Sequence, residues 1–392
     1  MTDDAHGTPA RRAALAMIDA VLRRGQRLDA LPAHGLPHAD EGLARAIAGE
    51  VFRWLVDLDA LIDSATAQPL PGDAKARTVL RVALVQALVL KTPQHAAIAT
   101  ALPLVVGGPK RLVHGVFGTL MRRGATLPEV PTLPEAVRAR WGAAWDYAML
   151  GDAARALSMR PTLGRTFRDG RPPDMLPAGT DVTTLPGYAE GEWWVQNLSA
   201  SIPAALLGQG HGRTVLDLCA APGGKTMQLA AAGWRVIAIE QHDKRAERLS
   251  ENLARTQLSA EIVIADVMAW QPGAPVDAIL LDAPCTATGI FARHPDVLHR
   301  IAAKDIAALS ALQRRMLARS ADWLTPNGRL VYASCSVEPE EGEEVIEGCG
   351  LIVDAVGADA LPPEIAPAAQ GWVRILPAPG RDGFFMARLK RP

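Results

Sequence analysis

Residues 213–240 read RTVLDLCAAPGGKTMQLAAAGWRVIAIE, and this stretch decides the fold. RTVLDLCA is an apolar run of strand length, PGGKTMQLAAAG has helical character, and WRVIAIE is a second apolar strand. Downstream the alternation continues. DKRAERLSENLARTQL reads as a helix, AEIVIADV and VDAILLDAP as strands, KDIAALSALQRRMLARSADWL as a helix and GRLVYASC as a strand. Alternating strands and helices predict an α/β fold with a parallel sheet covered on both faces. Near the end, WVRILP and GFFMARL flank the turn PAPGRDG, which predicts an antiparallel hairpin at the sheet edge.

Upstream the period changes. Apolar residues recur at helical spacing in PARRAALAMIDAVLRRG, LARAIAGEVFRWLVDLDALIDSA, AKARTVLRVALVQALVL and PKRLVHGVFGTLMRRG. Breakers at Leu36-Pro37, Pro69-Leu70-Pro71-Gly72 and Gly107-Gly108-Pro109 separate them, so five to seven helices are expected. The chain therefore divides into an all-helical domain (1–125), a linker and small adaptor region (126–205) and an α/β domain (206–392). The stretch 155–195 is irregular and predicts a small α/β insert or a loop-rich adaptor.

Composition bounds the function. Hydrophobic residues make up 49% of 392, enough for substantial cores, and a net charge of −1 provides no global field for nucleic acid. Residues 1–125 carry 15 Lys and Arg against 11 Asp and Glu, a weakly basic front that is compatible with RNA binding but on charge alone reads first as a solvated helix surface. Cys219, Cys285, Cys335 and Cys349 are widely spaced, with no CxxC pair and no His at ligand spacing, which argues against a disulfide framework or a metal site. Cys349 reads as structural. MTDDAHGTPARR lacks a signal-peptide core, and the longest apolar run, Val79–Leu90, contains Arg81 and Gln86 and is too short to span a bilayer. A cytoplasmic, monomeric protein with no membrane association is expected.

Three motifs carry chemistry. The small-residue loop Cys219-Ala220-Ala221-Pro222-Gly223-Gly224-Lys225 joins a strand to a helix, where backbone N–H groups can approach a ligand. It is neither GxGxxG nor a P-loop, since the position five before Gly224 is Cys219. Glu240 ends the next strand, where an acidic residue suits ribose hydroxyls, and Asp266 ends the third, where it suits an adenine amino group. Either alone reads as a helix cap, but in register at consecutive strand ends after the small-residue loop they point to S-adenosylmethionine as cofactor. The second motif is Asp282-Ala283-Pro284-Cys285 and the third Tyr332-Ala333-Ser334-Cys335-Ser336, each at a strand's carboxyl end. A buried, packed Cys is the ordinary reading of either. Two thiols beside a methyl-donor loop instead suit methylation of cytosine carbon 5, which requires a thiolate to attack the ring first.

LDLCAAPGGKT, DAPCTATG and YASCS, in that order, resemble the Nol/Nop/Sun family of RNA (cytosine-5)-methyltransferases, and the helical front resembles a NusB-like domain. RHPDV after the first Cys motif and DGFFMARL near the end extend the resemblance to bacterial enzymes of small-subunit ribosomal RNA. The resemblance implies a Rossmann-like sheet that binds S-adenosylmethionine, with RNA as the partner. It implies that Cys219 through Lys225 line the methionine and ribose end of the cofactor, with Glu240 on the ribose and Asp266 near the adenine. Cys335 would be the nucleophile, Cys285 the cysteine that assists product release, and Asp282 would lie near the reacting centre and the cofactor. Lys225 and Arg293 are both candidates for the cation that favours the thiolate. Ser334 stands where Thr is common, Gln196-Asn197 where Gln-Asp is usual, and the adaptor looks short. The rival expectations are a transfer RNA cytosine-5 methyltransferase, a non-catalytic NusB-like RNA-binding factor, and a methyltransferase of protein or exocyclic amines.

Overall fold

A computed structural model describes residues 7–32 and 35–392. The reading of the N-terminus as lacking a signal-peptide core falls largely on residues 1–6, outside the described residues. The chain forms two units, residues 1–159 with 291–301, and residues 160–290 with 302–392.

The first unit is helical: α1 (Thr8–Arg24), α2 (His38–Arg53), α3 (Leu55–Ser64), α4 (Lys75–Leu88), α5 (Gln94–Ala101), α6 (Gly108–Arg122), α7 (Glu135–Ala144) and α8 (Tyr147–Ser158). The apolar run read as too short for a membrane is α4, buried on every side by α1, α2, α3, α5 and α6. Its two arginines are neutralised within the core. Arg81 makes a bidentate pair with Asp59 at 2.7 and 2.8 Å, and Arg77 pairs with Asp63 and Asp59. Such pairing is the condition for burying a guanidinium at all. Gln86, also buried, accepts from Arg11 Nε at 2.7 Å. Among the described residues no helix is long and apolar enough to cross a membrane.

The second unit opens with a small antiparallel sheet, β1 (Leu163–Phe167), β2 (Asp174–Leu176) and β3 (Trp193–Val195), in the order β2-β1-β3. This is the region expected to be irregular. α9 (Leu198–Ala205) follows, capped by Asn197 Oδ1 on Ser199 N–H at 2.9 Å. Then come β4 (Thr214–Leu218), α10 (Gly224–Ala231), β5 (Arg235–Glu240), α11 (Asp243–Thr256), β6 (Glu261–Ile264) and β7 (Val276–Asp282). After Ile290 the chain enters the segment that belongs to the first unit, including α12 (Val297–Arg300). There Phe291 is fully buried with its ring 5.6 Å from that of Trp141, and His299 Nε2 donates to Phe52 O at 2.8 Å. The chain resumes with α13 (Ala303–Ala321), β8 (Leu324–Ser334), α14 (Glu343–Ile346), β9 (Ile352–Val353), β10 (Val373–Ile375) and β11 (Phe384–Lys390).

The main sheet runs β10-β11-β8-β7-β4-β5-β6, with β9 beside β11. β6, β5, β4, β7 and β8 are parallel; β11 and β10 add antiparallel, as the predicted hairpin required. This is the expected Rossmann-like sheet. Because β4 lies between β5 and β7, the winding reverses there, and ligands of open α/β sheets bind beyond the carboxyl ends at such a reversal.

Candidate active site

Sheet register sets the site. Leu218 is level with Ile239 and Leu281, and Asp282 with Ala333, so the residues that follow emerge along one edge. Glu240, Asp282 and Cys335 are thus placed by strand ends, whereas Cys219 and Cys285 lie on the connections that leave β4 and β7.

The loop after β4 curls tightly. Cys219 adopts φ +64° and Gly223 φ +107°, and the Ala221–Pro222 peptide is cis. A side chain at Gly223 would meet Leu249 Cδ1 at 2.6 Å as well as the unfavourable φ. The first intrahelical bond of α10 runs from Met227 N–H to Gly223 O at 2.8 Å, so the N–H groups of Gly224, Lys225 and Thr226 lie ahead of it. That end suits a carboxylate. Glu240, buried, ties the loop to β5: it accepts from Ala221 N–H at 3.3 Å and His242 N–H at 3.0 Å and pairs with Arg245 at 3.4 Å. Arg245 in turn donates to Ala221 O at 2.6 Å. Asp266 is exposed, and its Oδ1 caps the turn after β6 by accepting from Met268 N–H at 2.8 Å. Ile264 beside it is 56% exposed, an apolar face at the same edge. Backbone donors, strand-end carboxylates and an exposed aliphatic face fit the carboxylate, ribose and adenine of S-adenosylmethionine.

Lys225, Asp282, Cys285 and Cys335 gather across the reversal. Lys225 Nζ pairs with Asp282 Oδ2 at 2.8 Å and stands 5.5 Å from the Phe384 ring centroid. Burial works to lower the Lys225 pKa, but Asp282, with smaller help from Cys335 and Asp217, holds the ammonium above its ordinary value. Of the two candidate cations, Lys225 makes the ion pair with Asp282, and Arg293 belongs to the segment 291–301 of the first unit. The Sγ atoms of Cys285 and Cys335 are 3.3 Å apart. The Cys335 contact and burial push the Cys285 thiol well above its ordinary pKa. Burial likewise pushes Cys219 up to about 12, with Asp282, Glu240 and Asp217 adding to it, so this thiol stays protonated at neutral pH.

Sequence reasoning missed two groups of residues. Asp217, on β4, is fully buried; it accepts from Thr226 Oγ1 at 2.6 Å and leaves Oδ1 without a partner. Burial, reinforced by Asp282, raises it to about 7. A charge inside the apolar run VLDLC was the available signal. Glu341, Gln313 and Thr286 form a buried network beneath Cys285, and nothing in the local pattern distinguishes Glu341 from the acidic run around it. A separate cleft of about 640 Å³, bounded in part by Phe167, Arg171, Ile202, Gln228 and Pro362, contains none of the predicted site residues.

Comparison with known proteins identifies the family. Residues 204–390 match the family model described as 16S rRNA methyltransferase RsmB/F, and residues 8–109 match the NusB family. Ribosomal RNA small subunit methyltransferase B of Sodalis glossinidius is 35% identical, covering 94% of both chains. The protein of that name from Pseudomonas putida is 34% identical, covering 97% of this chain and 98% of its own. Among solved structures, PH0851 superposes with a TM-score of 0.72 at 20% identity, covering 97% of this chain and 99% of its own. A methyltransferase homolog protein from Pyrococcus horikoshii gives 0.57 at 22% identity, covering 70% and 98%. These two likenesses concern the fold; the sequence relatives, similar along nearly their whole length, decide the family. The chain belongs to the RsmB/F family of 16S rRNA methyltransferases, with the NusB domain ahead of the catalytic sheet.

Proposed function

We propose that this protein methylates carbon 5 of one cytosine in small-subunit ribosomal RNA, with Cys335 as the nucleophile and Cys285 as the release residue. Family membership makes it an S-adenosylmethionine-dependent RNA methyltransferase; the proposal concerns the target atom and the residues. The observation that carries it is the pair of thiols 3.3 Å apart at adjacent strand ends, beside the Lys225–Asp282 pair.

Carbon 5 of cytosine is a poor nucleophile. Cys335, as a thiolate favoured by Lys225, adds to carbon 6 and places the electron pair on carbon 5. Ring nitrogen 3 takes up a proton from solvent as the charge develops and returns it when Cys335 leaves, and Asp282 accepts a hydrogen bond from that N–H. S-adenosylmethionine, when bound, supplies the electrophilic methyl group. The loop 219–225, Glu240 and Asp266 hold the cofactor's methionine, ribose and adenine parts. Cys285, or a water it positions, then takes the carbon 5 proton. The C5=C6 double bond re-forms and the C6–S bond breaks, returning Cys335. The target base must first leave its stack to reach the sheet edge.

The three-part division into 1–125, 126–205 and 206–392, a cytoplasmic location and action as a monomer belong to the same reading. Bisulfite sequencing of cellular RNA with and without the protein tests it. One cytosine of small-subunit ribosomal RNA should lose its protection. Loss of protection only in transfer RNA would replace the substrate; no change in any RNA would reject the activity.

A further inference from the structure

Cys285 stands in a loop that is fastened on both sides of it. Before it, Pro284 O accepts from Gln313 Nε2 at 2.8 Å. After it, Thr286 gives both its N–H, at 3.0 Å, and its hydroxyl to the carboxylate of Glu341. The two anchors are joined to each other, because Gln313 Nε2 also donates to Glu341 Oε1 at 3.0 Å. The Tyr332 hydroxyl, on β8, completes the set by contacting Gln313 Oε1 at 3.1 Å and Glu341 O at 2.8 Å.

The same network reaches the second cysteine. Ser336 follows Cys335 directly, and its Oγ lies 3.3 Å from Thr286 Oγ1 and 3.1 Å from Thr288 Oγ1. Each residue that follows a cysteine thus touches the other motif, and the two thiols come to 3.3 Å. Glu341 is fully buried and is held by hydroxyl, amide and backbone donors. A buried carboxylate solvated by neutral dipoles costs stability, and an apolar residue there would avoid the cost. Burial raises its pKa, while the donors of Ser336, Thr286 and Gln313 oppose that rise. Two acceptor oxygens on one rigid stem do what an apolar side chain cannot: they fix a neighbouring loop through several donors at once.

We propose that Glu341 is a positioning residue for the release step, clamping the Cys285 loop so that its sulfur faces the Cys335–base bond. The inference rests on the assignment of Cys335 to attack and Cys285 to release. Attack uses Cys335, Lys225 and Asp282, none of which bonds to Glu341. Release needs Cys285 in register with the carbon 5 proton, and a displacement of about 1 Å costs on the order of a hundredfold. In Glu341→Gln one acceptor oxygen becomes an NH2 group that faces Thr286 or Gln313 donors, so the loop loosens while the β8 end keeps its ladder.

The experiment compares wild type, Cys285→Ala, Glu341→Gln and Thr286→Val on unmodified small-subunit ribosomal RNA transcribed in vitro. It reads kcat, the KM for S-adenosylmethionine, and the fraction of protein linked to RNA on a denaturing gel. For Glu341→Gln the expected result is a kcat lower by on the order of tenfold to a hundredfold, an unchanged KM and an accumulating protein–RNA adduct. Thr286→Val, which keeps the backbone N–H bond, should show the same pattern more weakly, and it decides the matter if Glu341→Gln does not fold. Normal turnover, or a lower kcat without adduct, would overturn the clamp, because general loss of structure slows attack and release together. Cys285→Ala separates the two failures: an adduct there but none in Glu341→Gln rejects the clamp alone, and no adduct in either rejects the two-cysteine reading beneath it.

Discussion

Cys285 and Cys335, 50 positions apart in the chain, place their sulfur atoms 3.3 Å from one another. Neighbouring parallel strands bring them together: Asp282 on β7 is level with Ala333 on β8, and Cys285 lies three residues past the end of β7 while Cys335 lies one past the end of β8. The contact defines a site where one thiol can bond a base while the other stands at the same ring edge.

Lys225→Met should slow methyl transfer by on the order of a hundredfold. The proposed mechanism gives the ammonium the task of supporting attack by Cys335, and its loss also leaves Asp282 without its 2.8 Å partner. Iodoacetamide labelling of Cys335 at neutral pH, followed by peptide mass spectrometry, checks the first part: labelling should be slower in the variant. Unchanged labelling would mean that Lys225 does not favour the thiolate.

Asp217 gives a pH signature. Its folded pKa of about 7 lies above the ordinary 3.8, so between these values the folded chain holds a proton that the unfolded chain releases. Its stabilising contribution is complete below about pH 4 and is lost as pH rises through 7. Each pH unit between the two values is worth about 1.4 kcal/mol, so the whole effect is on the order of a few kcal/mol. Asp217→Asn cannot ionise, so its stability in urea should fall less than that of wild type between pH 5 and pH 8. Parallel curves would place the proton elsewhere.

His299 runs the other way. Burial holds it at about 4, below the ordinary 6.5, while its Nε2–H donates to Phe52 O. The unfolded chain takes up a proton that the folded chain refuses, so stability is complete above pH 6.5 and is lost as pH falls toward 4. His299→Gln should flatten the acid side of the melting-temperature profile. An equally steep acid side in the variant would count against this assignment.

Gly289→Ala should destabilise by about 1–3 kcal/mol or more, because a Cβ there would stand 2.2 Å from Gly383 O and 2.8 Å from Cys335 O. Gly289 N–H donates to Cys335 O at 2.9 Å, and Gly383 N–H to Gly289 O at 2.8 Å, so the variant also displaces the backbone of Cys335. Thermal unfolding together with a methyl-transfer assay checks both effects; wild-type values in each would remove this packing role.

The parts of the fold that repeat were readable. β4, α10, β5, α11, β7, α13 and β8 follow the alternation, since buried parallel strands are apolar throughout and their helices amphipathic. β2 and β3 were not, because three residues give no usable alternation. The segment 291–301 follows the Cys285 motif so closely that sequence assigned it to the catalytic region, yet Phe291 and His299 complete the helical core. Strand ends made Cys285, Cys335, Asp282 and Glu240 visible, since a polar residue after an apolar run marks a sheet edge. Glu341 was not visible, because its burial depends on Thr286 and Gln313, which are 55 and 28 residues distant.

The central claim is that the two thiols divide one reaction, and a single measurement addresses it. Unmodified small-subunit ribosomal RNA is incubated with methyl-labelled S-adenosylmethionine and wild type, Cys335→Ala or Cys285→Ala, then resolved on a denaturing gel. The account predicts free labelled RNA from wild type, no label and no adduct from Cys335→Ala, and labelled RNA bound to protein from Cys285→Ala. Free labelled RNA released by Cys285→Ala at the wild-type rate, or any methyl transfer by Cys335→Ala, would contradict it.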